Sequence, residues 1–290
     1  RTRAFLKVQD GCDYKCSFCT IPLARGKSRS NTISNVIDNV HKIASENIKE
    51  IVLTGINLGD FGANSNDSIQ YNFFDLVKEL DKLDLSVRFR ISSIEPNLLT
   101  DEIIEFISTS KNFVHHFHIP LQSGSDRVLK LMRRRYDSKL YNSRIKMINQ
   151  LMPDACIGVD VIVGFPGEDD HEFLKSMSFI EDLDISYLHV FKYSERDNTH
   201  AITLPKIVNS KIRTKRSKLL RLLSSRKKAG FYNKNIGTIH QVLFESEDKN
   251  GFIEGFSSNY VRFRRKWDSS LAGSIVESKF TKIDSEGFAI

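Results

Sequence analysis

Three of the four cysteines fall within eight residues, at Cys12, Cys16 and Cys19. A disulfide framework normally spreads an even number of cysteines over a chain. Crowded thiols with no charged-then-apolar leader before them point to the reducing cytosol and to a metal. Structural zinc asks for four ligands, usually two well-separated Cys-x₂-Cys pairs; here the spacing is x₃ then x₂, and no matching pair follows. Cys156 lies in an apolar stretch, where a lone cysteine behaves as a small hydrophobe. Strand alternation puts His116 and His118 on one face and His115 on the other, so hydrogen bonding inside or beside a barrel suits them better than a metal. An iron–sulfur cube suits three thiolates and leaves one iron without a protein ligand. An open corner is what a catalytic metal keeps. It suits the amino and carboxylate groups of S-adenosylmethionine, with the sulfonium beside a one-electron donor. A non-catalytic zinc-binding RNA module using the same thiols is the alternative of a different class.

The elements that must carry these thiols alternate between strand-like and helix-like patterns. Strands are predicted over 3–9, 50–57, 86–95, 115–122, 156–164 and 185–193. Helices are predicted over 32–47, 72–83, 101–110, 126–131, 139–152 and 170–183, with a polar loop after the second strand. About six β-then-α units imply parallel strands with helical crossovers, in an open sheet or a barrel. In such barrels reactive groups sit at the carboxyl ends of strands, which here read TGIN, SSIE, QSG and GFPGE. A basic helix is predicted over 210–229, with Ile212, Leu219, Leu220 and Leu223 on one face. Past Tyr232 short alternating segments at 237–245, 251–256, 260–264, 273–280 and 287–290 suggest a small all-β barrel.

The 290 residues are 40% hydrophobic and 27% charged with six prolines, which excludes collagen-like and disordered classes. No apolar run approaches the roughly 20 residues that span a bilayer. The expectation is a cytoplasmic protein with no membrane partner. Net charge is +7, yet residues 198–244 hold 11 Lys and Arg and no acid, leaving the remainder at −4. Concentrated basicity of this kind suits a polyanion or a solvated helix face. Within the terminal segment, Tyr260-Val261-Arg262-Phe263-Arg264-Arg265-Lys266-Trp267 interleaves cations with aromatics, as phosphate contact and base stacking require. Val261 and Phe263 are expected in a core, with Arg262 and Arg264 outward. The RNA-binding candidates are Arg226, Lys227, Lys228, Lys234, Arg262, Arg264, Arg265 and Lys266.

Gly11-Cys12-Asp13-Tyr14-Lys15-Cys16-Ser17-Phe18-Cys19 resembles the signature of the radical S-adenosylmethionine superfamily, with its x₃ then x₂ spacing and an aromatic before the last cysteine. Phe18 fills that position, which the resemblance places near the cofactor's adenine; ordinary core packing is its other reading. Four further segments are similar to methylthiotransferases. They are 20–30, Leu121-Gln122-Ser123-Gly124-Ser125 with Leu131-Met132-Arg133-Arg134, Asp160 to Glu168, and Tyr193 to Ala201. The last departs from the family's Tyr-Ser-x-Arg-x-Gly-Thr-x-Ala at Asn198, a residue that tolerates the left-handed conformation. The wording of 5–12 and 21–26 is most similar to the branch acting on threonylcarbamoyladenosine beside the tRNA anticodon. Alternatives are the branches acting on a ribosomal-protein aspartate or on isopentenyladenosine in tRNA.

That resemblance implies an α/β protein: a partial (β/α)₆ radical SAM barrel over 1–230, then a small all-β TRAM-like barrel over 231–290 that binds RNA. It implies a [4Fe–4S] cluster on Cys12, Cys16 and Cys19, reduced by a donor such as flavodoxin or ferredoxin. S-adenosylmethionine is then cleaved to methionine and a 5′-deoxyadenosyl radical, which abstracts hydrogen from an unactivated carbon. The implied product carries a methylthio group at C2 of N6-threonylcarbamoyladenosine in the anticodon loop. Gly55 and Asn57 are expected near the cofactor's amino-acid end. Glu95, Gln122 and Asp160 are expected to contact cofactor or target, and Asp160 reads equally as a structural hydrogen bond within the barrel. A second [4Fe–4S] cluster, supplying sulfur, is expected only in an amino-terminal domain with three more cysteines. This chain starts at Arg1, just before the first cluster, so that domain is expected outside it, and the 290 residues alone to cleave the cofactor without inserting sulfur.

Overall fold

The computed structural model describes residues 2–63 and 70–290. Arg1 and part of the polar loop expected after the second strand (64–69) lie outside the described residues. Six parallel strands form the first body: β1 (Arg3–Lys7), β2 (Glu50–Thr54), β3 (Arg88–Ile91), β4 (His116–His118), β5 (Cys156–Val163) and β6 (Tyr187–Lys192). They pair in the order β1-β2-β3 and β4-β5-β6, and parallel bridges Phe89–Phe113 and Ser93–His118 join the two sets. Helices α1 (Ile33–Ser45), α2 (Phe73–Asp81), α3 (Asp101–Thr109), α4 (Asp126–Leu131), α5 (Ser138–Leu151) and α6 (Asp170–Asp182) supply the crossovers. This is an open six-stranded barrel, with β1 and β6 at its two edges.

Local sequence accounts for the elements. The Thr32 side chain accepts from Asn35 N at 3.1 Å to start α1, and Asn72 with Asp75 forms a reciprocal capping box on α2. Strand β4 is shorter than the expected 115–122 because Pro120 offers no N–H to a ladder. Beyond it Gln122 takes φ +65° and rejoins β5 through a bridge to Val161. The chain of β1 continues into Gln9–Asp10, which pairs antiparallel with Arg29–Ser30. That small ribbon holds the cysteine segment between its strands. Asn198 takes φ +62°, as its substitution for glycine required.

Helix α7 (Ser210–Asn235) is longer than expected and buries a different face. Leu220 and Leu223 are buried, but Ile212 and Leu219 are exposed, and Arg213 and Arg216 turn inward. Arg213 donates to Val208 O, Tyr193 O and the Glu195 carboxylate, and Arg216 donates to Glu168 and Asp170. Burial pushes the Glu168 carboxyl up to about 7, against the pull of Gly164 N–H and Arg216. The helix runs past Gly230 because Phe231 and Tyr232 enter a second hydrophobic cluster with Val242, Phe244, Ile253, Val261, Phe263 and Phe280.

That cluster fills an antiparallel sheet ordered β9 (Arg262–Lys266), β8 (Phe252–Ser257), β7 (Ile239–Phe244), β10 (Ile275–Lys279). The expected last strand at 287–290 is represented by bridges of Ala289 to Phe263 and Ile283, which bring the chain end against β9. Val261 and Phe263 are buried and Arg262 is exposed, as alternation predicts, while Arg264 is half-buried.

Candidate functional site

The three thiols sit at the carboxyl ends of the barrel strands, half-buried and unpaired. Gly11, at φ +71°, lets the chain turn into the loop; a Cβ there would meet Lys27 O at 2.0 Å. The loop is fixed at both ends: Cys12 N donates to Gly26 O (3.1 Å), Ser17 N to Met132 O (3.0 Å) and Ala201 N to Ser17 O (2.7 Å). Donors also face the sulfurs. Tyr14 N lies 3.4 Å from Cys12 Sγ and Ile21 N 3.5 Å from Cys19 Sγ, while Arg134 Nη1 donates to Cys16 Sγ at 3.1 Å. Burial pushes the Cys12 thiol up to about 11 and raises Cys16 as well, against the pull of Arg134. A metal must overcome that penalty, since it binds thiolates.

Arg134 ties the expected residues together. Its Nη2 donates to Glu95 Oε2, its Nε lies 3.1 Å from Tyr136 OH, and Tyr136 OH lies 2.9 Å from Pro120 O. Glu95 and Cys16 thus share one guanidinium. Gly55 and Asn57 join the loop through a residue that sequence reasoning left without a role, the buried Gln9. Its Oε1 accepts from Asn57 N (2.9 Å) and its Nε2 donates to Gly11 O (2.8 Å) and Ser28 Oγ (2.9 Å). A Cβ on Gly55 would come within 2.9 Å of that same Oε1. Asn57 Nδ2 donates to Asp60 at 2.5 Å, and Asn57 Oδ1 is buried with no hydrogen-bond partner among the described residues. Phe18 meets Phe165 edge-on at 6.2 Å, and Phe165 meets Tyr193 at 5.3 Å, an aromatic wall beside the loop.

Gln122 and Asp160 are not joined to the cysteine loop by any described bond. Gln122 N donates to Asp160 O at 2.8 Å, and the Asp160 carboxylate holds His118 Nε2 at 2.9 Å. His118 Nδ1 in turn lies 2.6 Å from Ser93 Oγ, and His189 crosses its ring edge-on at 5.5 Å. This polar row lines the barrel interior. His115 is outside, against Asp154 at 3.1 Å, and His116 is buried beside Tyr187 OH at 3.3 Å.

At the opposite end of the barrel lies a cluster that no sequence motif announced. Glu50 accepts from Arg88 Nε at 2.7 Å and from Arg90 at 3.0 and 3.1 Å, and Arg3 Nε is 2.7 Å away. Burial alone would raise the Glu50 carboxyl, but Arg90, Arg88 and Arg3 hold it well below the usual range. Arg88 also donates to Gln241 O and Phe256 O, and Arg90 stacks 4.7 Å from the Tyr260 ring, so the second body closes the barrel floor.

The RNA-binding candidates have intraprotein partners to different degrees. Arg226 reaches Glu181 at 3.4 Å, Lys227 donates to Glu181 O and Leu183 O at the end of α6, and Lys234 pairs with Asp184 at 2.9 Å. Lys228 lies over the Tyr232 ring. Glu254 receives Arg262 at 2.7 Å and Arg264 at 3.0 Å. Arg265 lies 5.5 Å from the Phe244 ring, and Lys266 is exposed.

Residues 6–180 match the family described as the Radical SAM superfamily. The chain belongs to the radical SAM superfamily. A threonylcarbamoyladenosine tRNA methylthiotransferase, MtaB, of Bacillus subtilis (strain 168) is 40% identical over 288 residues, which is 97% of this chain and 63% of that protein. A tRNA-2-methylthio-N(6)-dimethylallyladenosine synthase of the same organism is 33% identical over 96% of this chain and 55% of its own length. The chain therefore spans less than two-thirds of these relatives. Coproporphyrinogen III oxidase HemN from Escherichia coli shares the fold at TM-score 0.54 and 10% identity, covering 88% of this chain and 66% of its own. Radical SAM membership implies a [4Fe–4S] cluster and S-adenosylmethionine, and the residues fit. Three free thiols converge on one loop, N–H groups and a guanidinium face the sulfurs, and a glycine stands where a side chain could not. Among the described residues no helix is long and apolar enough to cross a membrane.

Proposed function

We propose that this chain is the radical SAM part of a tRNA methylthiotransferase that places a methylthio group on C2 of N6-threonylcarbamoyladenosine beside the anticodon. The observation that carries this is the shared guanidinium of Arg134, which couples a cluster thiol, Cys16, to the strand-end carboxylate Glu95, in a chain 40% identical to a protein named for that activity. Cys12, Cys16 and Cys19 hold the [4Fe–4S] cluster, which when bound supplies one electron for reductive cleavage of S-adenosylmethionine. Glu95 and Asn57, whose Oδ1 lacks a partner, orient the cofactor, with Gly55 admitting Gln9 behind them. Phe18, Phe165 and Tyr193 exclude water from one side. Asp160 fixes the tautomer and angle of His118 against the target, and Gln122 holds the Asp160 backbone.

Domains are assigned as 1–230, the radical SAM core, and 231–290, a TRAM-like RNA-binding barrel with Arg262, Arg264, Arg265 and Lys266 at its RNA side and Lys228 of the core beside them. Sulfur insertion belongs to a longer protein, with a second [4Fe–4S] cluster held by cysteines beyond this sequence. The electron donor is of the flavodoxin or ferredoxin class, and the setting is the cytoplasm. Anaerobic reconstitution with iron and sulfide tests the first half: a paramagnetic signal on reduction and release of 5′-deoxyadenosine are expected. Mass spectrometry of tRNA nucleosides from cells with and without the gene tests the second. Unchanged methylthio-threonylcarbamoyladenosine in the deletion would defeat the substrate assignment.

A further inference from the structure

Helix α7 presents two cation-bearing sides, and they differ in acids. On one side a cavity of about 500 Å³ is lined by Arg226, Lys227 and Lys234 together with Asp154, Glu181 and Asp184. Arg226 and Lys234 pair with the carboxylates of Glu181 and Asp184, and Lys227 donates to the carbonyls of Glu181 and Leu183 beside those same acids. On the other side a groove of about 390 Å³ runs along α7 beside Lys192 at the end of β6. It is lined by Lys192, Lys218 and Arg221 with the hydroxyls of Thr214, Ser217 and Ser225, and contains no acid. Lys192 Nζ reaches only Thr214 Oγ1 (3.5 Å) and Arg221 Nη2 only Val190 O (3.4 Å), both neutral. Lys218 has no hydrogen bond or ion pair among the described residues, and all three are exposed.

Further along the same helix, past Ser224, whose hydroxyl bonds Leu188 N and O, lies a separate cavity of about 410 Å³ at the seam of the two bodies. Lys228, Arg262, Phe256, Tyr260 and His189 line it, again without an acid. Among the described residues Arg262 is the cation there with an acidic partner, Glu254. Phe256 and Tyr260 stack at 4.8 Å. Lys218 and Lys228 are ten helical residues apart, about 15 Å at 1.5 Å per residue. Unneutralised cations beside serine and threonine hydroxyls fit phosphate oxygens, and an aromatic end with flanking cations fits a stacked base. An acidic protein surface would use the cations but not the aromatic seam.

We propose that the RNA backbone follows this acid-free track along the β6 edge, with phosphates on Lys192, Lys218 and Arg221 and a base at the Phe256–Tyr260 seam. Arg226, Lys227 and Lys234, on the opposite side of the same helix, hold α7 to α6 and do not contact RNA. This rests on the reading of the chain as RNA-acting. The test is the affinity of labelled tRNA, and of a single-stranded RNA 20-mer, for the full 290-residue chain as a function of salt. Lys192→Gln/Lys218→Gln/Arg221→Gln is expected to weaken binding at least ~10-fold and to lower the salt slope by about 2, since each phosphate no longer neutralised removes about 0.7–0.9 from it. Arg226→Gln/Lys234→Gln is expected to stay within about threefold, since its charges are already neutralised. Lys192→Gln/Lys218→Gln, which leaves the Arg221 bond to β6 in place, gives a smaller loss in the same direction if the triple variant folds poorly.

Equal or larger losses on the Arg226–Lys234 side overturn the track while leaving RNA binding intact. Unchanged RNA affinity with slower reduction by an acidic flavodoxin-type protein assigns the groove to the electron donor and also overturns it. Failure of the unaltered chain to bind either RNA defeats the RNA-acting reading itself.

Discussion

The two ends of the barrel are built from the same residue types to opposite effect. At the floor, one glutamate, Glu50, is enclosed by Arg3, Arg88 and Arg90, and the remaining donors of Arg88 are spent on backbone carbonyls of the second body. At the mouth, one glutamate, Glu95, faces Arg134, which divides its donors among a carboxylate, a tyrosine and a cysteine sulfur. The floor is covered by the second body and its carboxylate is engaged on both oxygens, although Arg90 Nη1 and His116 Nδ1 have no hydrogen-bond partner among the described residues. The mouth keeps thiols with raised pKa, a carboxylate only partly engaged and an orphan amide oxygen on Asn57. A carboxylate ringed by three arginines serves the fold, whereas one that shares its single arginine with a thiol serves chemistry.

Separating the two ends by substitution sharpens that contrast. Cys16→Ser should abolish 5′-deoxyadenosine release and cut bound iron to a small fraction, read by iron analysis after reconstitution, while denaturant stability moves by less than about 1 kcal/mol. Glu50→Gln should do the reverse. It leaves two buried arginines and the half-buried Arg3 without their carboxylate and should cost about 3–5 kcal/mol in urea unfolding, with iron per folded molecule unchanged. Iron loss from Glu50→Gln at full stability would break the division between the two ends. Next in size, Arg134→Gln should slow 5′-deoxyadenosine formation about tenfold, with Arg134→Lys restoring only part, because a lysine cannot serve carboxylate and sulfur from one planar fork.

Acid should weaken the carboxylate–arginine clusters of the floor and of the second body. Glu50 and Glu254 have carboxyls lowered by their arginines, Glu254 to about 2. Their stabilisation is therefore complete above the ordinary carboxyl pKa near 4.5 and is lost as pH falls from there toward 2. His116, held neutral by burial and by Arg90, adds a loss that begins as pH drops through about 6.5. The expected curve of unfolding free energy falls steadily on acidification. A curve flat from pH 7 to pH 3 would mean that neither cluster contributes. Smallest of all, Gly230→Ala should raise stability by up to about 1 kcal/mol, since nothing lies within 4 Å of its would-be Cβ.

Much of this was legible in the chain because it is local. The x₃–x₂ cysteine spacing, the β-then-α alternation and the left-handed turn at Asn198 each depend on a few neighbouring residues. What escaped depends on distance. Arg134 meets Cys16 across 118 residues of sequence and Asn57 meets Gln9 across 48, and no periodicity links such pairs. Charge was the most deceptive signal: Arg213 and Arg216 belong to the basic run yet are buried and bonded to carboxylates and carbonyls. The expected apolar stripe of α7 failed for the same reason, since these two arginines occupy inward positions that Ile212 and Leu219 were expected to fill. The floor cluster carries no motif, because a glutamate on one strand and arginines on two others become informative only once the strands are in register.

Because a single unbroken helix belongs to both hydrophobic clusters, the chain has no clean place to be cut. Cleaving near Gly230 would strip the small barrel of Phe231 and Tyr232 while fraying the cover of the β6 edge. The two bodies should therefore melt in one cooperative step, and any ancestor that acquired the small barrel had to acquire the connecting rod with it.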